Sequence, residues 1–278
     1  MLDLHTHSQY SKHAKGEIED VVKSAIAKDI KILCLTDHAP YLVDSKNRIL
    51  ASELVSYVEE VRFIAAKYSK NIKVLVGLEV DYHPAHEDYI ANLIQSVEVD
   101  YVIGAIHYVY VDGVKINVWD IENLSTKEFL DNYFCYLHKM ILSGFFDSIA
   151  HPDTIMRGGI EAREFYERFV FLLQDMKVHD VAYEINCSSL TKSNYNPESK
   201  SKTKGEAVYP NYDLVTTMVE QGLSFTIGSD AHSPSNVGFG VRENLELCVK
   251  AGMDSITYYE ARKPVVLPIN QLLRVECS

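Results

Sequence analysis

Histidine and acidic side chains recur in this chain where short apolar segments end. Seven of the eleven histidines and two carboxylates share this position, namely His5, His7, His13, His38, Glu79, His107, His151, Asp230 and His232. His5 and His7 are two residues apart, so their side chains lie on the same side of a strand. Imidazole together with carboxylate suits zinc, iron or manganese. Because structural histidines would be scattered over helices and surfaces, this pattern predicts a metal centre.

The number of candidate ligands exceeds what one ion needs. A single catalytic zinc takes three or four protein ligands and keeps a position for water. Nine ligands, with Glu79 bridging two ions, suit about three divalent ions. Clustered divalent ions stabilise the attacking and leaving oxygens in displacement at phosphorus and generate hydroxide at neutral pH. The expected chemistry is therefore hydrolysis of a phosphate ester.

The elements that carry these residues alternate between apolar runs and amphipathic helices. Strand-like runs occur at residues 1–4, 31–36, 73–78, 101–106, 145–150, 181–185 and 223–228, with a shorter one at 255–258. Such alternation indicates a buried parallel sheet, and about seven units favour a closed α/β barrel over a doubly wound open sheet. No glycine-rich nucleotide-binding loop supports the open sheet. In a barrel, the carboxyl ends of the strands carry the catalytic groups.

The helices are predicted from apolar stripes at helical spacing and from their stop signals. Residues 18–26 and 54–68 carry such stripes. Ser125 and Glu128 form a capping-box pattern before a helix that ends at Gly144. Later helices are predicted to end at Gly222 and Gly252. The four other histidines, His83, His86, His138 and His179, are expected on the surface or in supporting positions.

Bulk properties limit the possible classes of protein. The 278 residues fit a single barrel domain, with a polar loop insertion around 193–205. A net charge of −12 disfavours a nucleic-acid partner, and Lys200, Lys202 and Lys204 are attributed to a solvated loop. No apolar run is long enough to span a membrane, and strand-like sequence begins at the first residue, so a cytoplasmic protein is expected. Five cysteines without a C-x-x-C pair predict reduced thiols.

These motifs resemble those of the polymerase-and-histidinol-phosphatase (PHP) superfamily. The matching segments are His5-Thr6-His7, Thr36-Asp37-His38, Glu79, His107, His151 and Asp230-Ala231-His232, in the family's order over nearly the whole chain. The resemblance implies a distorted, TIM-like (β/α)7 barrel. It also implies one ion held by His5, His7, Glu79 and Asp230, a second by Glu79, His107 and His151, and a third by His13, His38 and His232. Asp37, beside His38, is expected to orient that ligand.

Within this superfamily the chain is most similar to the stand-alone histidinol-phosphate phosphatases. The similar segments are residues 77–82, 103–109, 184–186, 205–206, 209–210 and 228–232. The resemblance implies hydrolysis of L-histidinol phosphate, a step of histidine biosynthesis, through attack of a metal-bridging hydroxide. Arg157 matches a phosphate-holding arginine of the family. Lys192 stands where the family usually has a basic segment containing arginine, and we expect it to replace that arginine as a point charge.

The substrate's cationic end needs acidic or aromatic groups at the mouth of the pocket. The residues available near the strand ends are Asp153, Glu184, Glu206 and Trp119. Another small phosphomonoester, such as a nucleotide, is the alternative substrate. A metal-dependent amidohydrolase, a proofreading nuclease and a non-catalytic metal-binding barrel are further alternatives, disfavoured respectively by His107 on strand four, the acidic charge and the complete ligand set. The metal, the proton donor and the oligomeric state stay open.

Overall fold

A sheet of seven parallel strands organises the computed structural model, which describes residues 1–43 and 46–273. We number its strands along the chain: β1 (Leu2–Thr6), β2 (Ile32–Leu35), β3 (Lys73–Asp81), β4 (Tyr101–Ala105), β5 (Ser148–Ile149), β6 (Ala182–Asn186) and β7 (Phe225–Gly228). Each strand pairs with the next one in this order. Apart from Ile32 and Lys73, which begin β2 and β3, their residues are buried, as their continuous apolar sequence predicts.

Backbone contacts between the first and last strands bring the sheet close to a complete barrel. Thr6 forms a parallel bridge with Ala231. The His7 N–H donates to the Ala231 carbonyl at 2.8 Å, and the Asp230 N–H donates to the His5 carbonyl at 2.8 Å. The predicted seven-stranded α/β barrel is thus confirmed, and the two strands meet where candidate ligands lie.

Helices follow most of the strands and bury one apolar face each. They are α1 (Ile18–Ala27), α2 (Leu54–Tyr68), α3 (Glu87–Gln95), α4 (Lys127–Leu142), α5 (Ala162–Phe169), α6 (Leu173–Val178), α7 (Tyr212–Glu220), α8 (Val241–Lys250) and α9 (Ile269–Leu273). The predicted stripes form α1 and α2. Gly144, Gly222 and Gly252 adopt positive φ just after α4, α7 and α8, as helix-ending glycines do. One continuous cluster of buried apolar side chains joins the helices to the barrel.

Two sequence-based expectations about these elements were wrong. The residue that caps α4 is Thr126, whose hydroxyl accepts from the Phe129 N–H at 3.2 Å, and not Ser125. Residues 255–258 are a strand, but not a further barrel strand: Ser255–Glu260 pairs antiparallel with Lys263–Pro268. The Tyr259 hydroxyl donates to the Asp147 carbonyl at 2.9 Å, just before β5. This hairpin therefore lies at the amino-terminal end of the barrel, away from the candidate ligands.

Two further hairpins lie at the opposite end of the barrel. Tyr108–Val111 pairs with Val114–Asn117 directly after His107, a hairpin that the sequence did not predict. The predicted loop at 193–205 contains the hairpin Ser193–Asn196/Ser201–Lys204. Its exposed lysines are solvated as expected, and Lys202 Nζ pairs with Glu122 Oε1 at 2.9 Å.

The four described cysteines, Cys34, Cys135, Cys187 and Cys248, are unpaired; Cys277 lies outside the described residues. Within residues 1–43 and 46–273, no helix has the combination of length and apolar character that crossing a membrane requires.

A glycine at the end of β7 permits the close approach of β7 and β1. A Cβ atom at Gly228 would lie 2.2 Å from His5 Cβ, so Gly228→Ala forces the two strands apart. We expect the free energy of unfolding to fall by about 2–3 kcal/mol, the usual cost of overpacking. Urea unfolding measures this change. The control is Gly113→Ala, in an open turn at φ +76°, which should cost about 1 kcal/mol from backbone strain alone. Equal losses for the two variants would contradict the close-approach explanation.

Candidate metal centre

The carboxylate of Glu79, in the second half of β3, lies at the centre of the candidate site. It is fully buried, and five imidazoles surround it. The separations are His5 Nε2–Oε2 3.4 Å, His7 Nε2–Oε2 3.5 Å, His38 Nδ1–Oε2 2.8 Å, His107 Nε2–Oε1 3.5 Å and His151 Nε2–Oε1 3.0 Å. Both oxygens therefore face histidines, which is the arrangement that a carboxylate bridging two cations requires.

Asp230 extends the cluster from the end of β7. Its Oδ1 lies 3.4 Å from His7 Nε2 and 3.4 Å from His232 Nδ1. Among the described residues there are four overlapping groups in which the possible ligand atoms lie within 4.8 Å of one another. They are His5–His7–Asp230, His5–Glu79–His151, His38–Glu79–His107 and His7–His38–His232. The structure thus brings together eight of the nine residues predicted as ligands.

His13 and His38 lie differently from the division into three ions that the resemblance implies. The His13 ring is at the edge of the cluster, with its centroid 5.2 Å from that of His38 and 4.7 Å from that of His232. It belongs to none of the four groups. His38 faces Glu79 and His107 as well as His232, so it lies between the second and third expected groups of ligands.

Hydrogen bonds to the outer nitrogen orient most of these imidazoles. The Nδ1 partners are Glu184 Oε1 for His5 (2.5 Å), Ser11 Oγ for His7 (3.3 Å), the Ser11 carbonyl for His13 (2.8 Å), Asp81 Oδ1 for His107 (2.9 Å) and the Asp230 carbonyl for His232 (3.0 Å). An Nδ1–H that donates to an acceptor leaves the Nε2 lone pair free. Those Nε2 atoms are therefore prepared to act as ligands.

Several inward-facing polar atoms fit a bound cation. Glu79 Oε2, His38 Nδ1 and His107 Nε2 are buried and make no hydrogen bond of regular geometry within the described part of the chain, although His38 Nδ1 lies 2.8 Å from Glu79 Oε2. Buried polar atoms without a partner are costly, and native proteins seldom keep them. Divalent ions coordinated by these atoms would remove that cost.

The charges around the cluster keep its carboxylates ionised. Burial alone would raise the pKa of Glu79, but the imidazoles of His38, His5 and His107 hold this pKa well below its usual range. Burial would likewise lower the pKa of His5, but the Glu184 and Glu79 carboxylates raise it well above the ordinary value. The centre thus offers anionic oxygens to a cation.

Asp37 lies where a residue that supports the ligands would lie. Its carboxylate accepts hydrogen bonds from the Ser8 N–H and hydroxyl, both at 2.8 Å, and from the Ser11 N–H and hydroxyl at 3.0 and 2.6 Å. Ser11 in turn contacts His7 Nδ1 and accepts from the His38 N–H at 3.1 Å. Asp37 therefore reaches two candidate ligands through one serine.

Sequence reasoning missed the function of three residues behind the ligands. Glu184, assigned to the pocket mouth, is buried instead, where it accepts from His5 Nδ1 and from the His151 N–H at 2.7 Å. Asp81 accepts from His107 and forms a buried ion pair with Arg48. The i, i+2 spacing of Glu79 and Asp81 was a signal that they share one side of β3. Arg48, in an irregular segment, had no such signal.

Two candidate ligands have an uncommon backbone conformation. His151 has φ +30° and Asp230 has φ +52°, in the left-handed region that residues other than glycine seldom adopt. Such strain persists where the surrounding structure enforces it, and it clusters at functional sites. In both residues the turn begins just after a barrel strand and directs the side chain into the cluster.

A cavity of about 390 Å³ opens above the cluster. Its lining includes Trp119 and Lys192, and Lys192 Nζ lies 3.3 Å from Asp230 Oδ2. Arg157 packs against Trp119, and its Nε donates to the Ser193 carbonyl at 3.0 Å. The structure thus places both predicted phosphate-binding residues beside the candidate metal centre.

Two further candidates for the pocket mouth lie elsewhere, so that expectation was wrong for them. Asp153 is fully buried, and its Oδ2 accepts from the Tyr183 hydroxyl at 2.7 Å. Glu206 is exposed and lines a separate surface groove beside the Ser193–Asn196 strand. Of the four candidates, only Trp119 lines the cavity.

Solved structures show where this fold occurs. The crystal structure of a histidinol phosphate phosphatase from Lactococcus lactis, in complex with zinc, L-histidinol and phosphate, superposes with a TM-score of 0.79 at 23% identity. The match covers 95% of this chain and 98% of that one. At this identity the likeness concerns the fold.

Sequence comparisons extend the likeness along the chain. A probable histidinol-phosphatase from Deinococcus radiodurans is 27% identical over 262 residues, which cover 93% of this chain and 96% of that protein. A histidinol-phosphatase from Lactococcus lactis is 24% identical, with 94% and 95% covered. A family model described as the PHP domain matches residues 3–188, about two thirds of the chain. The chain therefore belongs to the PHP domain family.

Proposed function

We propose that this protein is a metal-dependent phosphomonoesterase that hydrolyses L-histidinol phosphate to L-histidinol and phosphate. The observation that carries the proposal is the buried Glu79 carboxylate, surrounded by five imidazoles beneath a cavity that has Lys192 on its wall. The relatives named histidinol-phosphatase match nearly the whole chain and supply the substrate class. A small-molecule substrate, a cytoplasmic location and the absence of nucleic-acid partners are further parts of this proposal.

We further propose that the nine predicted ligands hold about three divalent ions of zinc, iron or manganese. The overlap of the four ligand groups supports a cluster of ions, because groups that share ligands would hold their ions close together. Zinc is the first metal to test, since the Lactococcus lactis structure contains it. When bound, such ions supply a hydroxide nucleophile and neutralise charge on the phosphoryl oxygens.

The chain's own residues would bind and orient the substrate. Lys192 Nζ faces the cavity near Asp230, and Arg157 contacts the same Trp119 ring as Lys192. Their positive charges would hold the phosphoryl oxygens and stabilise the charge that develops on them. Glu184, Asp81 and Asp37 would keep the imidazoles in fixed orientations throughout the reaction.

Replacing the central carboxylate tests the metal centre. Glu79→Gln removes the negative charge that two ions would share, so the metal content should fall and activity should decrease about 100-fold or more. Elemental analysis of protein purified without chelator, together with a phosphatase assay, measures both. The matched control is Glu206→Gln on the surface, which should leave about three ions and full activity. Fewer than one ion in the reconstituted wild type would contradict the proposal.

Glu184→Gln tests whether Glu184 supports His5 or receives the substrate. Loss of the charged acceptor behind His5 should weaken metal binding about 10- to 100-fold, the usual effect of such a partner. Metal affinity from chelator competition and kcat/KM for two substrates are the measurements. We expect histidinol phosphate and an aryl phosphate to lose rate together. A loss confined to histidinol phosphate would instead assign Glu184 to substrate recognition.

A panel of phosphomonoesters tests the proposed substrate. kcat/KM for histidinol phosphate should exceed that for an aryl phosphate by about 100-fold or more, because groups matched to the substrate in a desolvated pocket contribute a few kcal/mol. Arg157→Met should lower both rates together, since both substrates share the phosphate. Faster turnover of nucleoside monophosphates would leave the fold and the metal centre in place and replace the proposed substrate.

A further inference from the structure

The single tryptophan of the chain occupies a defined position beside the candidate metal centre. Trp119 follows the hairpin that comes after β4, and its backbone N–H donates to Asn117 Oδ1 at 2.8 Å. The Trp119 ring lies beside the cluster. Its centroid is 5.8 Å from that of the His107 ring, and the two rings are nearly parallel. The residue is 38% exposed, so it is partly open to the cavity.

Two cations from separate parts of the barrel meet on this ring. Arg157, in the 3-10 helix Pro152–Gly158 after β5, has its guanidinium carbon 5.2 Å from the ring centroid. Lys192, after β6, has its Nζ 4.9 Å from the centroid. Both lie within the approximately 6 Å at which a cation is attracted to an aromatic face. The indole ring thus attracts both cations.

Other contacts of these cations leave binding capacity for an anion. Arg157 Nη1 is buried and forms no hydrogen bond to the residues that the structure describes, although Nε is bound to the Ser193 carbonyl. Lys192 has an ion pair with Asp230 and two further N–H donors. The Arg157 side chain is buried, and this burial lowers the pKa of its guanidinium. A phosphoryl group near Trp119 would match both charges.

We propose that Trp119 is a positioning residue that holds Arg157 and Lys192 ready for the phosphate group of the substrate. The proposal rests on the proposed phosphatase function and reverses the expectation that Trp119 receives the substrate's cationic end. A ring that already holds two cations repels a third, so the ammonium and imidazole of histidinol phosphate bind elsewhere. Trp119 therefore affects affinity for phosphate and not the choice of leaving group.

The two products of the proposed reaction, inorganic phosphate and L-histidinol, can be used as inhibitors. They distinguish a role of Trp119 in phosphate binding from a role in binding the cationic end of the substrate. Trp119→Leu removes the aromatic face at a partly exposed site, whereas Trp119→Phe keeps one. In Trp119→Leu, the inhibition constant of inorganic phosphate should rise about 5- to 30-fold, the range of a cation–π contact, and that of L-histidinol should stay unchanged. In Trp119→Phe, both constants should stay within about threefold of the wild type. KM for histidinol phosphate and for an aryl phosphate should rise together.

The opposite pattern overturns the proposal. Weaker inhibition by L-histidinol with unchanged phosphate inhibition would assign Trp119 to the cationic end. Equal constants in Trp119→Leu and the wild type would remove any such role. Metal content equal to that of the wild type verifies that the variant has kept its fold. If the wild type is inhibited by phosphate but neither cleaves histidinol phosphate nor binds histidinol, the proposed substrate fails, while the phosphate measurement still tests Trp119.

Fluorescence supplies a readout that does not depend on turnover. Because Trp119 is the chain's only tryptophan, its emission reports directly on this site. Titration of the metal-loaded protein with inorganic phosphate should change the emission with the same midpoint as inhibition. Lys192→Met and Arg157→Met should each shift that midpoint to higher phosphate concentration. An emission that does not respond while phosphate inhibits the enzyme would overturn the proposal.

Discussion

A carboxylate buried among five imidazoles is the constraint on which the rest of the structure depends. Removing Glu79 from water is costly unless positive charge compensates it. The compensating histidines lie at the carboxyl ends of four strands, β1, β2, β4 and β5. No two neighbouring segments of the chain could supply them all. A parallel barrel solves this problem because it brings the same end of every strand to one place. Closure between Thr6 and Ala231 then adds Asp230 to the cluster.

The layer of residues behind the ligands follows from the same constraint. An imidazole that ligates a cation usually donates its other N–H to an acceptor, which fixes the orientation of the ring. Glu184 and Asp81 supply that acceptor to His5 and His107, and Arg48 balances the charge of Asp81. The cluster therefore contains carboxylates in excess of the two candidate ligands, Glu79 and Asp230. This excess explains why several acidic residues near strand ends lie inside the barrel and not at the pocket mouth.

The sequence predicted which of these residues meet in the cluster, because their positions depend on periodicity. Apolar strands, regular helices between them and polar residues at each strand end define which side chains meet in a parallel barrel. The direction in which a side chain points within the barrel was harder to predict. Glu184 has the same sequence context whether it faces a histidine or a substrate. Arg48 lies in an irregular segment, where no period indicates its partner. The contacts of Trp119 with Arg157 and Lys192 join parts of the chain that only the folded barrel brings together.

Anomalous diffraction from crystals of the zinc-loaded protein would show whether Glu79 organises a metal centre. We expect about three ions in the cluster, with Oε1 and Oε2 of Glu79 each bound to a different ion. We also expect the Nδ1 atoms of His5 and His107 to keep their contacts with Glu184 and Asp81. Ions that bind the surrounding histidines but leave Glu79 without a metal contact would contradict the claim that this carboxylate organises the centre.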